Sequence, residues 1–66
     1  MKISDFTVPE LNYFRENCNF VNLEIKVFEE RARGVPLEQI AEEVNISYDY
    51  ARHLSRKVNK KILKVL

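Results

Sequence analysis

Glycine and proline are scarce, with one and two in 66 residues. A β-sandwich or barrel needs frequent tight turns, and this chain has little to build them from. Tryptophan is absent and cysteine occurs once, at Cys18. A lone thiol excludes an intramolecular disulfide. With no apolar leader in the sequence, a reducing cytoplasm is the expected compartment. Cys18 is expected to be a half-buried structural thiol rather than a cross-link between copies. One cysteine and one histidine (His53), far apart, cannot assemble a zinc site. No apolar run is long enough to span a bilayer. Nor is there a glycine-rich phosphate loop, a carboxylate pair set for a cleft, or a nucleophile beside a base. Cys18 and His53 form the only conceivable dyad, and they fall on the first and last of the helices expected below. Enzymatic activity, a cofactor, a small-molecule substrate and a membrane partner are therefore not expected.

What is present suits packed helices: Leu, Ile, Val, Glu, Lys and Arg dominate. The length allows one domain, 1–66, whose small core makes for marginal stability. Four segments are expected. The N-terminal helix falls within 1–20, where Thr7-Val8-Pro9-Glu10 has the form of a capping box and Leu11, Phe14 and Cys18 share a face. It should end near Asn17, with an asparagine as a left-handed cap. A support helix, 22–33, is capped by Asn22. It turns Leu23, Val27, Phe28 and Ala32 inward, puts Glu24, Glu29, Glu30 and Arg33 outside, and stops at Gly34. A short helix, 36–44, has Pro36 near its first position and an inner stripe of Leu37, Ile40, Ala41 and Val44. The last helix, 47–65, is capped by Ser47, and its apolar series runs Ala51, Leu54, Val58, Ile62, Val65 and Leu66.

The net charge of +1 hides a split. Residues 1–46 carry five basic and nine acidic residues, net −4, whereas residues 47–66 carry six basic residues and Asp49, net +5. Such a pole attracts polyanions. Equally, lysines near a helix C-terminus suit that helix's own dipole.

The third and fourth helices fit the packing scheme of a helix-turn-helix. Two helices that cross steeply at close range need a small residue on the first, and Ala41 supplies it. The turn needs a residue that accepts positive φ, and Asn45 is the choice after glycine. Val44 and Ile46 plug the turn from either side, and Ala51 and Leu54, ten and thirteen residues after Ala41, dock the second helix. The outer face of that helix holds Tyr48, Asp49, Arg52, His53, Arg56, Lys57, Lys60 and Lys61, which are long or hydrogen-bonding side chains suited to base edges and phosphates.

Leu37-Glu38-Gln39-Ile40-Ala41-Glu42-Glu43-Val44-Asn45-Ile46-Ser47 resembles the helix-turn-helix of sigma-factor region four and of response regulators. With Phe6–Leu11 and Tyr13–Asn17, nearly the whole chain is similar to small sigma-like helix-turn-helix proteins of Firmicutes and their phages. The resemblance implies an all-α, compact four-helix domain containing a helix-turn-helix. It also implies a bacterial, cytoplasmic, sequence-specific regulator of transcription that binds double-stranded DNA, with no cofactor and no enzymatic activity. Two features depart from the family. Glycine is usual where Asn45 stands, and the reading helix opens with Tyr48-Asp49-Tyr50 instead of small polar residues.

The candidate DNA-binding residues are Gln39, Ser47, Tyr48, Asp49, Tyr50, Arg52, His53, Arg56, Lys57 and Lys60. Arg52 is the candidate for bidentate contact with guanine and shares a face with Arg56. His53 can donate to a base or phosphate. Ser47 and Tyr48 sit where free amides favour an anion. Tyr48 and Tyr50 can contact sugars or thymine methyls, or serve as core or dimer contacts. Asp49 is read as a second cap on the helix amides rather than as an acceptor from cytosine N4. Lys57, Lys60, Lys61 and Lys64 supply charge, and Gln39 sits where a phosphate passes. The competing reading is a protein-interaction or dimerisation module, such as an RNA polymerase-docking unit or a homodimer. In that reading Phe6, Tyr13, Phe14 and Phe20 form a dimer face, although covering the small core is the use expected of them.

Overall fold

Side-chain caps explain where two of the four helices begin. In the structure, a computed structural model describing residues 2–66, Thr7 Oγ1 accepts the Glu10 amide, and the Glu10 carboxylate accepts the Thr7 amide at 2.8 Å. This reciprocal box starts α1, Val8–Asn17. The helix occupies only part of the 1–20 segment. Ile3–Asp5 forms a separate 3-10 turn, and Ile3 is buried in the core. Met1 lies outside the described residues. At the other end, α1 stops at Cys18 in an extended conformation, not at a left-handed asparagine.

An asparagine with positive φ occurs further on. Asn22 takes φ 52° just before α2, Leu23–Ala32, and its side chain caps nothing. Glu24 instead accepts the Val21 amide, ahead of the helix, at 3.2 Å. The end of α2 follows the expected pattern. Gly34, at φ 82°, donates to Arg31 O, and Val35 donates to Glu30 O, both at 3.0 Å. These paired bonds close the last turn.

Pro36 lies immediately before α3, Leu37–Val44, rather than inside its first turn, and its carbonyl accepts the Gln39 and Ile40 amides. Asn45 then takes φ 58° and ψ 49°. Its amide bonds Glu42 O, and the Ile46 amide bonds Ala41 O at 3.0 Å. Ser47 accepts the Tyr50 amide at 3.1 Å and opens α4, Tyr48–Val65. The left-handed turn allows a direct prediction. Asn45→Gly should hold or raise the urea midpoint, because glycine enters this region freely. Asn45→Val should lower stability by about 1–2 kcal/mol, the steric cost of placing Cβ there.

The chain is thus all-helical among the described residues, with four α-helices and no strand. The support helix α2 and the long α4 pack together, α3 crosses α4, and the 3-10 turn sits on α2. Phe14, Val27, Phe28, Ile40, Leu54, Val58 and Ile62 form the centre. Phe6 meets Phe14 edge-on at 4.9 Å, and Phe20 stacks on Phe28 at 4.7 Å. Three of the four aromatics considered for a dimer face are therefore used in covering the core. Tyr13 remains exposed, and its hydroxyl donates to Val65 O.

Two glutamates expected outside are inside. Glu24 is 4% exposed and Glu30 is 2% exposed. A buried carboxylate is tolerable only with partners. Glu24 meets Lys61 Nζ at 2.5 Å, and the same ammonium donates to Asn19 O at 2.5 Å. Glu30 is paired with Arg33 and, at 3.3 Å, with Lys26. A hydrogen bond from the Glu43 carboxyl, together with the Arg33 and Lys26 cations, lowers the Glu30 carboxyl to about 2 despite burial. Nearer the surface, Arg15 grips Glu29 through two bonds of 2.7 and 2.8 Å, tying α1 to α2. The hydrogen bond to Arg15 holds the Glu29 carboxyl below the usual range.

Candidate nucleic-acid interface

One face of α4 is committed to the fold. Ala51, Leu54, Ser55, Val58 and Ile62 are buried at steps of three and four, the helical period. The opposite strip follows from the same geometry: Asp49, Arg52, His53, Arg56, Lys60 and Lys64 are all exposed, with Lys57 and Tyr48 on its two flanks. From Arg52 to Lys60 the strip runs roughly 12 Å at the helical rise. A helix with its side chains is about 10–12 Å across, which a B-DNA major groove, about 12 Å wide, admits. Arg56, Lys57, Lys60 and Lys64 form no ion pair among the described residues. Their charge is therefore available to an incoming anion.

The expected site residues divide by position. Ser47 caps α4, so its hydroxyl is already engaged with the Tyr50 amide. Asp49 does not cap: its side chain is 93% exposed and lies 4.0 Å from Arg52 Nη1. Ser47 alone caps this end, through the Tyr50 amide. The Arg52 guanidinium also lies over the Tyr48 ring, 5.9 Å from its centre. On the other flank, Tyr50 and His53 stack with ring centres 6.2 Å apart. Both tyrosines are exposed at the opening of α4 and contribute nothing to the core. Gln39 is exposed in the first turn of α3, a separate element from the α4 strip. The rest of α3's outer surface is acidic, through Glu38, Glu42 and Glu43.

Lys61 leaves the outer face altogether, since it is turned in toward Glu24 and Asn19. Leu66, expected in the inner series, is 67% exposed. With Pro9, Glu10, Tyr13 and Phe14 it lines a shallow groove where the ends of α1 and α4 meet.

Cys18 and His53 are not brought together. The Cys18 thiol is buried, not half-buried, and sits 3.5 Å from Lys61 O. Burial pushes its ionisation up, against the pull of the Lys61 charge. His53 stands eight residues earlier on α4, roughly 12 Å along the axis, and on the outer face. Among the described residues no three His, Cys, Asp or Glu side chains converge as a metal site, and no helix is long and apolar enough to cross a membrane.

The chain matches no family model, no curated protein and no solved structure. The functional reading therefore rests on this geometry and on the sequence.

Proposed function

We propose that the protein binds duplex DNA by laying α4 in the major groove, and that it regulates transcription in the cytoplasm without catalysis or a cofactor. The observation that carries this reading is the outward strip of α4. It sets Arg52, His53, Arg56 and Lys60 side by side, flanked by Lys57, on a helix whose other face is locked into the core. Three further features support it. Ala41, Asn45, Ile46 and Ser47 form a tight left-handed turn between α3 and α4. The acidic α3 confines the positive field to the reading helix. The string from Leu37 to Ser47 resembles sigma-factor region four. The groove at Tyr13 and Leu66 is the feature on which a protein-docking or dimerisation reading would rest. It is small beside the roughly 800 Å² per partner that a stable interface buries, and it lies away from the charged strip, so the DNA reading is preferred.

In this reading Arg52 addresses a guanine, while Arg56, Lys57 and Lys60 hold phosphates. Fluorescence anisotropy with a labelled duplex provides the test. Three phosphate contacts predict a loss of roughly 40-fold in affinity between about 50 and about 200 mM salt. Arg52→Ala should flatten base preference, whereas Lys60→Ala should weaken all duplexes alike. An absence of salt-sensitive binding at micromolar protein would overturn the reading.

A further inference from the structure

The opening turn of α4 holds a pair of side chains that phosphate binding does not require. The Arg52 guanidinium lies 5.9 Å from the centre of the Tyr48 ring on one side and 4.0 Å from the Asp49 carboxylate on another. It is thus steered by two neighbours while remaining 51% exposed. Tyr48 is 46% exposed, so its ring has open surface beside the guanidinium. Such an arrangement is of little use against phosphate, because the Asp49 charge repels it. It is well suited to base edges. A planar guanidinium presents two parallel donors to guanine O6 and N7. Tyr48 stands one helical turn away, about 6 Å along the axis. Stacked bases are about 3.4 Å apart; the ring centre lies 5.9 Å from the guanidinium, under two such steps, and the ring's own width brings its edge within reach of the base pair next to the one that Arg52 addresses. The apolar group a base pair shows in the major groove is the 5-methyl of thymine. Cytosine lacks it, and 5-methylcytosine carries it in the same place.

Building on the DNA-binding reading above, we propose that Tyr48 and Arg52 together read a guanine with a 5-methylpyrimidine in the neighbouring base pair. Arg52 takes the guanine edge and the Tyr48 ring covers the methyl group. Thymine and 5-methylcytosine satisfy this pair alike. Where cytosine stands in that place, its methylation raises affinity.

The experiment starts with selection of bound sequences from a random duplex pool. The guanine whose preference disappears in Arg52→Ala marks the Arg52 position. The neighbouring pyrimidine is then varied among thymine, uracil, cytosine and 5-methylcytosine, with affinities measured at fixed salt. Removing the methyl from thymine should weaken binding about fourfold, the value of one buried methyl. Adding it to cytosine should strengthen binding by a similar factor. Tyr48→Ala should erase both differences while keeping salt-sensitive binding, and Tyr48→Phe should retain them. Tyr48 is exposed in the first turn of α4, so neither variant disturbs the core. Equal affinity for thymine and uracil, or a methyl preference that survives in Tyr48→Ala, overturns the proposal and leaves general DNA binding intact. Absence of all salt-sensitive binding by the unsubstituted protein overturns the DNA reading and this proposal with it.

Discussion

Lys61→Met is expected to destabilise the protein by about 2–3 kcal/mol, read as a drop of roughly 10–20 °C in Tm. Removing one partner of a fully buried ion pair costs about 3–5 kcal/mol, because the other charge is left without compensation. Here Lys61 keeps 29% side-chain exposure while Glu24 keeps 5%, so water relieves part of that cost. Methionine retains most of the apolar stem, so the loss reports the ammonium. A domain of this size has only about 3–10 kcal/mol in total, which makes this one contact a large share. Glu24→Gln combined with Lys61→Met should recover more than half of the loss. A neutral amide needs no cation and can still accept the Val21 amide. The pH dependence gives a second reading of the same pair. Burial pushes the Glu24 carboxyl up, but Lys61, the Val21 amide and the Lys57 charge outweigh it, and the net shift is down. Glu29 and Glu30 are also lowered. A carboxyl lowered in the folded state contributes stability that is present above its ordinary value, near 4.5. That stability is lost as pH falls through the lowered value, which for Glu30 is about 2. Stability should therefore decline below about pH 4.5. The deficit of Lys61→Met should shrink over the same range, because protonated Glu24 no longer needs the ammonium. A Tm unchanged in Lys61→Met would show that this contact does not hold α2 to α4.

The contrast between that contact and the helix termini shows what the sequence makes legible. Thr7 with Glu10, Gly34, Asn45 and Ser47 act on backbone groups within a few residues, so their roles can be read from local chemistry. Glu24 and Lys61 lie 37 residues apart, and each looks like a solvated charge until the other is found. A faint signal did exist. Glu24 precedes Val27 and Phe28 by three and four residues, and Lys61 follows Val58 by three, so both fall on inner faces. The general cost of burying a charge argued for leaving them outside. Asn22 was misleading for a different reason: its residue type suits a side-chain cap and also suits positive φ, and the chain uses the second property. At the candidate site, the outward positions of Arg52, His53, Arg56 and Lys60 follow from helical period alone. The placement of Arg52 between Tyr48 and Asp49 does not, because it depends on side-chain rotamers.

The largest effect on binding is expected from reversing two charges on the α4 strip. Arg56→Glu combined with Lys60→Glu removes two phosphate contacts from the centre of the strip and sets two carboxylates against the duplex. It also moves the net charge from +1 to −3. Losing two of the three contacts removes about two-thirds of the counterion-release contribution, and repulsion adds to this. Duplex affinity at low salt should fall more than 100-fold, and the salt dependence that remains should be shallow. The fold should be spared, since both side chains are exposed and unpaired among the described residues. The new carboxylates each gain a cation one turn away, Arg52 for position 56 and Lys64 for position 60, at spacings that support a helix. Exposed substitutions of this kind usually stay within about 0.5 kcal/mol. This pattern is the reverse of the one expected for Lys61→Met, which lowers Tm while leaving the affinity of the folded protein close to unchanged, because Lys61 faces Glu24 and not the groove. Six cations lie in the last twenty residues, and a diffuse electrostatic interaction would weaken about equally whichever of them was removed. A reading helix in a groove instead separates Arg56 and Lys60 from Lys61. Should the double reversal leave affinity within about twofold, a value far inside the loss expected for two contacts, the outward strip of α4 is not the surface that meets DNA.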